Sequence, residues 1–172
     1  MVQTSDITYN EDEIYFSVRS PFNINSGRKW KSFFQKRDQK PVRIDIERIL
    51  DASGFQSPPE LEIFNVVVLK GVKARAHSDF MRGVAKNRGR KTPPTDLGCI
   101  LNKECSNDLI RNTLGLKGIV VMHNRVYVNG VESHYLLASK VARKNVVYPR
   151  LTLQHFDFGG VNTSEWGYAF LR

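Results

Sequence analysis

Apolar and polar residues alternate with a period of two over much of this chain. Ile14, Phe16 and Val18 alternate with Tyr15, Ser17 and Arg19, and Val42, Ile44 and Ile46 alternate with Arg43, Asp45 and Glu47. Successive strand side chains point to opposite faces, so each run predicts a half-buried strand. Leu61 to Ala74 is rich in β-branched residues and predicts one long central strand with a break near Gly71. Ile119 to His123 and Arg125 to Val128 predict strands that lead into Asn129-Gly130. That dipeptide suits a hairpin turn whose two central residues need positive φ. Val146 to Phe158 alternates again, with Leu151, Leu153, His155 and Asp157 on one side and Thr152, Gln154, Phe156 and Phe158 on the other. Trp166 to Leu171 is apolar and aromatic, which predicts a segment tied into the core.

Helical signals are fewer. Ser106 is placed to cap a short helix through Arg111 that Gly115 ends, and Ile46 to Leu50 offers one further turn. His77 to Pro94 mixes Gly, Arg, Lys, Asn and Pro and predicts a long basic excursion between strands. About eight short strands, not alternating with helices, predict an all-β sandwich or barrel with one or two short helices.

Composition adds a sign to this picture. The 172 residues are 41% hydrophobic, enough for one globular domain, alone or with an arm. The formal net charge is +9, which makes a polyanion the first partner to test. Cys99 and Cys105 supply neither a disulfide framework nor a four-ligand metal site. The longest strongly apolar run, Val66 to Leu69, is too short to span a bilayer, so no membrane partner is expected. The opening MVQTSDITYNEDEIYF is acidic and polar, unlike a secretory signal or a transit peptide, and a soluble intracellular chain is the expectation.

The basic charge falls into two clusters. The first is Arg28, Lys29, Lys31, Lys36, Arg37, Lys40 and Arg43, with Trp30, Phe33 and Phe34 interleaved; the second is Arg82, Lys86, Arg88, Arg90 and Lys91, spaced by glycines and Asn87. Lysine and arginine neutralise phosphates without reading sequence, and aromatics stack on unpaired bases. The competing reading makes the charges a solvated surface and the aromatics core. Lys140, Arg143, Lys144 and Arg150 form a weaker third patch.

Catalytic signatures are largely missing. Cys99, Cys105, His123 and His134 fit no usual zinc spacing and read as buried thiols and strand histidines. Asp45, Glu47, Glu60, Glu62 and Lys70 supply the residue types of a metal-dependent nuclease, yet Asp45 and Glu47 share a polar strand face and read as surface acids. No phosphate-binding glycine loop, nucleophile elbow or Cys–His pair stands out. The expectation is a non-enzyme with no cofactor and no metal.

Four segments, in order, resemble the coat proteins of geminiviruses and related circular single-stranded DNA viruses. SFFQKRDQKPVRIDIERILDASGF (Ser32 to Phe55) is similar to a Ser-aromatic-x-Gln-basic stretch followed by a strand and a Gly-containing loop. ELEIFNVVVLKGVKAR (Glu60 to Arg75) is similar to a long strand of the form F-x-V-x-x-I-x-F-L-G-x-V. RKTPPTDLGCILN (Arg90 to Asn102) resembles a basic-x-x-P-x-D-F-G-x-V-x-N turn. It is followed by SNDLIRNTL (Ser106 to Leu114), similar to an N-D-L-R element, and by VVMHNRV (Val120 to Val126). ESHYLLASKVARKNVVYPRLTLQHFDF (Glu132 to Phe158) is similar to the closing coat-protein segment with its N-x-V-Y. The acidic MVQTSDITYNEDE departs from the basic arm of that family, no counterpart of its Cys/His cluster is present, and GGVNTSEWGYAFLR extends past its usual end.

The resemblance implies an eight-stranded antiparallel jelly roll, with residues 1–172 as a single capsid domain and 1–30 as an N-terminal extension. It implies self-assembly into an icosahedral shell around circular single-stranded DNA, in the virion and, during assembly, the host nucleus. In that reading Arg28, Lys29, Lys31, Lys36, Arg37, Lys40 and Arg43 contact DNA and Trp30 is a stacking platform. Arg82, Lys86, Arg88, Arg90 and Lys91 face DNA or a subunit interface, and Pro93, Pro94, Asp96 and Gly98 shape a turn. Two other readings compete. One is a monomeric nucleic-acid-binding β-domain of a ribonucleoprotein; the other is a small nuclease using Asp45, Glu47, Glu60 and Glu62.

Overall fold

Val66, Val67, Val68 and Leu69 are all buried, and so are Ile119, Val120, Val121 and Met122. Strand side chains alternate between faces, so a strand with no polar face must be covered on both sides. The architecture meets that requirement. The structure, a computed structural model, describes residues 2–20, 27–38, 41–52, 63–70, 78–138, 148–155 and 165–172. Among these residues are β1 (Thr8–Asn10), β2 (Glu13–Arg19), β3 (Ile63–Lys70), β4 (Gly118–Val128), β5 (Val131–Ala138), β6 (Arg150–His155) and β7 (Trp166–Leu171). They form one seven-stranded sheet in the order β1-β2-β3-β7-β4-β5-β6. Neighbours are antiparallel except β4 and β7, which run parallel, Gly118 beside Trp166 through Val121 beside Ala169.

Four α-helices accompany the sheet: α1 (Gly27–Asp38), α2 (Ile44–Ala52), α3 (Ser78–Asn87) and α4 (Leu97–Glu104), with a π-helical turn at Leu109–Thr113. Val66, Val68, Ile119, Val121 and Ala169 pack in one core with Trp30 and Phe34 of α1, Ile46, Ile49 and Leu50 of α2, and Leu97, Ile100 and Leu101 of α4. Val67, Leu69, Val120, Met122, Tyr168 and Phe170 form a second core with Met81 and Ala85 of α3. Three helices therefore cover one face and α3 covers the other.

The protein is mostly sheet with short helices, as the strand patterns predict, but it is not all-β and its sheet is mixed. Three expectations change. Val42 to Ile46 is not a strand: Ile46, Ile49 and Leu50 are buried at helical spacing, while Ile44 is 66% exposed, so the 3.6-residue period prevails over the alternation. The stretch read as a basic excursion contains α3, because Met81 and Ala85, four apart, close the second core. The Asp96–Gly98 turn opens α4, whose residues from Leu97 to Asn102 are all buried. Among the described residues α-helices number four rather than one or two.

Two local expectations hold, the Asn129-Gly130 hairpin and the Ser106 cap. The β4–β5 hairpin turns at Asn129 (φ 55) and Gly130 (φ 76), with Val128 opposite Val131. The Ser106 hydroxyl accepts the Leu109 N–H at 3.0 Å and caps the turn that follows. Residues within the stretch read as an extension contribute β1, β2 and the core residue Trp30. No helix among the described residues is long and apolar enough to cross a membrane.

Candidate nucleic-acid interface and a buried histidine pair

The first basic cluster divides by helix geometry. On α1, Arg28, Lys29, Ser32, Gln35 and Lys36 are exposed, and their spacing (i, i+1, i+4, i+7, i+8) makes one continuous stripe. Trp30 and Phe34 lie buried on the opposite side. Among the described residues neither Arg28 nor Lys36 forms an ion pair, and the exposed Arg43 lies just before α2. The helix is about 18 Å long, so the stripe is an extended ridge rather than a point charge.

The remaining members point elsewhere. Trp30 is fully buried; its ring stacks on Phe34 at 5.6 Å between centroids and meets Phe33 edge-on, so it is not a stacking platform for bases. Its indole N–H has no acceptor among the described residues. Lys31 pairs with Asp51 at 2.9 Å and Glu47 at 3.4 Å, fastening α1 to α2. Arg37 pairs with Asp38 at 2.7 Å, donates to Asn102 Oδ1 at 2.8 Å and stacks over Tyr148 at 4.5 Å and Phe34 at 5.1 Å. Asn102 in turn donates to the Pro149 carbonyl at 2.9 Å. Arg37 is thus a clamp holding α1, α4 and the start of β6 together. Lys40, Lys140, Arg143 and Lys144 lie outside the described residues.

The second cluster is mostly committed within the fold. Arg88 pairs with Asp12 at 2.8 Å, and Arg90 pairs with Glu13 at 2.6 Å and donates to the Tyr15 hydroxyl at 2.9 Å. The hydrogen bond from Arg88 holds Asp12 below the usual carboxylate range. Burial opposes the charge of Glu13, but Arg90, Tyr15 and Arg88 together keep its carboxyl low. Arg82 is half-buried and donates to the carbonyls of Met122 and His123. Lys86 and Lys91 remain exposed. Of the nuclease acids, Asp45 and Glu47 lie on the helix α2 rather than on a strand, Glu47 is engaged by Lys31, and Glu60 and Glu62 lie outside the described residues.

A cluster that the sequence pattern did not reveal lies where α3 meets the β4–β5 hairpin. His123 and His134 are both fully buried, with ring centroids 4.8 Å apart. His123 Nδ1 lies 2.6 Å from the Asn124 carbonyl, and its Nε2 accepts the Tyr135 N–H at 3.3 Å. His134 Nε2 lies 2.8 Å from Glu132 Oε1 and its Nδ1 3.2 Å from the Val121 carbonyl. Burial first, then the neighbouring His134, lowers His123 to about 3. Burial and Arg82 act against a charge on His134 in the same direction. The available signal was the Asn129-Gly130 turn, because a hairpin folded there brings the two flanking histidines side by side. Cys99 and Cys105 are buried free thiols, and burial raises Cys105 to about 12, which makes it a poor nucleophile. Among the described residues no three His, Cys, Asp or Glu side chains converge on a metal-sized site.

No protein-family model, no curated protein and no solved structure matches this chain.

Proposed function

We propose that this chain binds single-stranded nucleic acid, independently of sequence, along the exposed face of α1. The observation that carries this reading is the Arg28–Lys29–Ser32–Gln35–Lys36 stripe, a cationic ridge rooted in the core by Trp30 and Phe34. A flexible polyanion gains affinity by releasing counterions to such a ridge, and the polar residues between the cations are hydrogen-bond partners for phosphate. Arg43 extends the ridge towards α2, and no step of bond-making is required of any residue. Anisotropy of a labelled single-stranded oligonucleotide, titrated with the chain at several salt concentrations, tests it. Affinity that falls steeply with salt supports the reading, and no binding at low salt overturns it.

The coat-protein resemblance gives this binding a setting: a closed homo-oligomeric shell around circular single-stranded DNA. Among the described residues β1 and β6 are the two edges of the sheet, and edge strands pair readily with further chains. The eight-stranded jelly roll belongs to this setting, but the seven strands described lie in one mixed sheet, so the fold does not carry it. Light scattering with and without oligonucleotide separates the settings. Particles of uniform diameter support a coat protein, and a persistent monomer supports a nucleic-acid-binding module of a ribonucleoprotein.

A further inference from the structure

The two buried histidines have different hydrogen-bond requirements. His123 faces one acceptor, the Asn124 carbonyl, and one donor, the Tyr135 N–H. A neutral ring with its proton on Nδ1 satisfies both. His134 faces two acceptors, the Val121 carbonyl at Nδ1 and the Glu132 carboxyl at Nε2. A neutral imidazole has one N–H and one bare nitrogen. Without a further proton, one nitrogen lone pair would therefore point at an oxygen lone pair, inside the protein and away from water.

We propose that His134 and Glu132 form a single buried proton-binding site, which holds one proton between Nε2 and Oε1 in the folded chain at neutral pH. With that proton in place, Nδ1–H donates to Val121 and the 2.8 Å contact is a hydrogen bond between matched partners. The pair as a whole is then neutral. That proton rests on Nε2, so His134 carries two N–H groups, and the pair takes it up and releases it as one unit.

The charged groups described around the pair bear on how firmly it is held. Arg82 of α3 stands 3.8 Å from Glu132 Oε1, and Arg125 of β4 stands 3.8 Å from Glu132 Oε2. Asp79 of α3 pairs with Arg125 from the far side. His123, neutral on its own hydrogen bonds, adds no charge. Burial and the two guanidiniums oppose an imidazolium. Loss of the proton leaves a net negative charge facing Arg82 and Arg125, on the surface where α3 docks. The device is therefore a proton-operated change in charge between α3 and the β4–β5 hairpin.

The test is imidazole nitrogen NMR on the full-length uniformly labelled chain at pH 7. The expected result is a mixed pair for His123, one protonated and one bare nitrogen, and two proton-bearing nitrogens for His134. A bare nitrogen on His134 at that pH overturns the proposal. Glu132→Gln supplies the second reading: His134 is expected to revert to one bare nitrogen. A His134 that keeps both protons in that variant would show that Glu132 is not its partner, which also overturns the proposal. If Glu132→Gln does not fold, the wild-type spectrum decides alone.

Discussion

Gly98 of α4 lies directly against the ring of Tyr135 of β5: a Cβ added at position 98 would stand 2.3 Å from Tyr135 Cδ2 and 2.6 Å from Cγ. The helix approaches the sheet this closely only because residue 98 has no side chain. Gly98→Ala must displace a fully buried aromatic, and overpacking of this kind costs about 1–3 kcal/mol. Denaturant unfolding is expected to show a lower midpoint with an unchanged slope.

The α1 stripe gives a binding prediction with an internal control. Replacing Arg28 and Lys36 together by Gln is expected to weaken single-stranded DNA binding while leaving the circular dichroism spectrum and the thermal midpoint unchanged. Each phosphate that the variant no longer neutralises should reduce the slope of log affinity against log salt by about 0.7. Trp30→Phe is the control. It keeps an apolar ring in the core and removes an N–H with no described acceptor, so DNA affinity is expected to stay the same.

Arg37 should behave in the opposite way to its neighbours on α1. Arg37→Ala removes a charge-assisted hydrogen bond to Asn102 and the stacking on Tyr148, a loss of about 2–3 kcal/mol in unfolding free energy. DNA affinity measured well below the melting temperature is expected to be unaltered. Arg37→Lys keeps the charge but not the planar fork, so it should recover only a minor part of the stability.

The pH dependence of stability has a sign set by His123. Its folded-state value is lowered from 6.5 to about 3, so between those limits the unfolded chain takes up a proton that the folded chain refuses. A depressed histidine value favours the folded state above pH 6.5, and that stability is lost as pH falls through the window. The loss amounts to at most about 1.4 kcal/mol per pH unit. The difference between wild type and His123→Gln, from unfolding curves at pH 7, 6 and 5, isolates this contribution. Curves that keep a constant separation across that range would refute it.

Strands were legible in this sequence where one face is wet. Ile14, Phe16 and Val18 alternate with exposed or half-buried partners, and β2 is where the pattern puts it. The hairpin was legible because its turn needs positive φ at Asn129 and Gly130. The runs Val66 to Leu69 and Ile119 to Met122 carried a further message, that helices cover both faces, but a short continuous run also suits the centre of a sandwich. The helices were obscured for local reasons. The apolar residues of α1 are aromatics set among lysines and arginines, and the first turn of α2 offers Ile44 and Ile46 at strand spacing. In the candidate site, exposure separates Arg28 and Lys36 from Arg37 and Lys31, and exposure depends on tertiary neighbours such as Asn102 and Asp51 that no local pattern records.

The position of β7 bears on how the sheet comes into being. It lies between β3 and β4 yet follows every other described strand in sequence. A ribosome therefore delivers β1–β3 and β4–β6 as two separate half-sheets, each with a bare inner edge, before the strand that joins them exists. Until it arrives, Val66 to Leu69 and Gly118 to Val121 lack the backbone partners they later find in β7. The order of the strands, rather than the strength of any one interaction, therefore sets the point in synthesis at which the two halves can join.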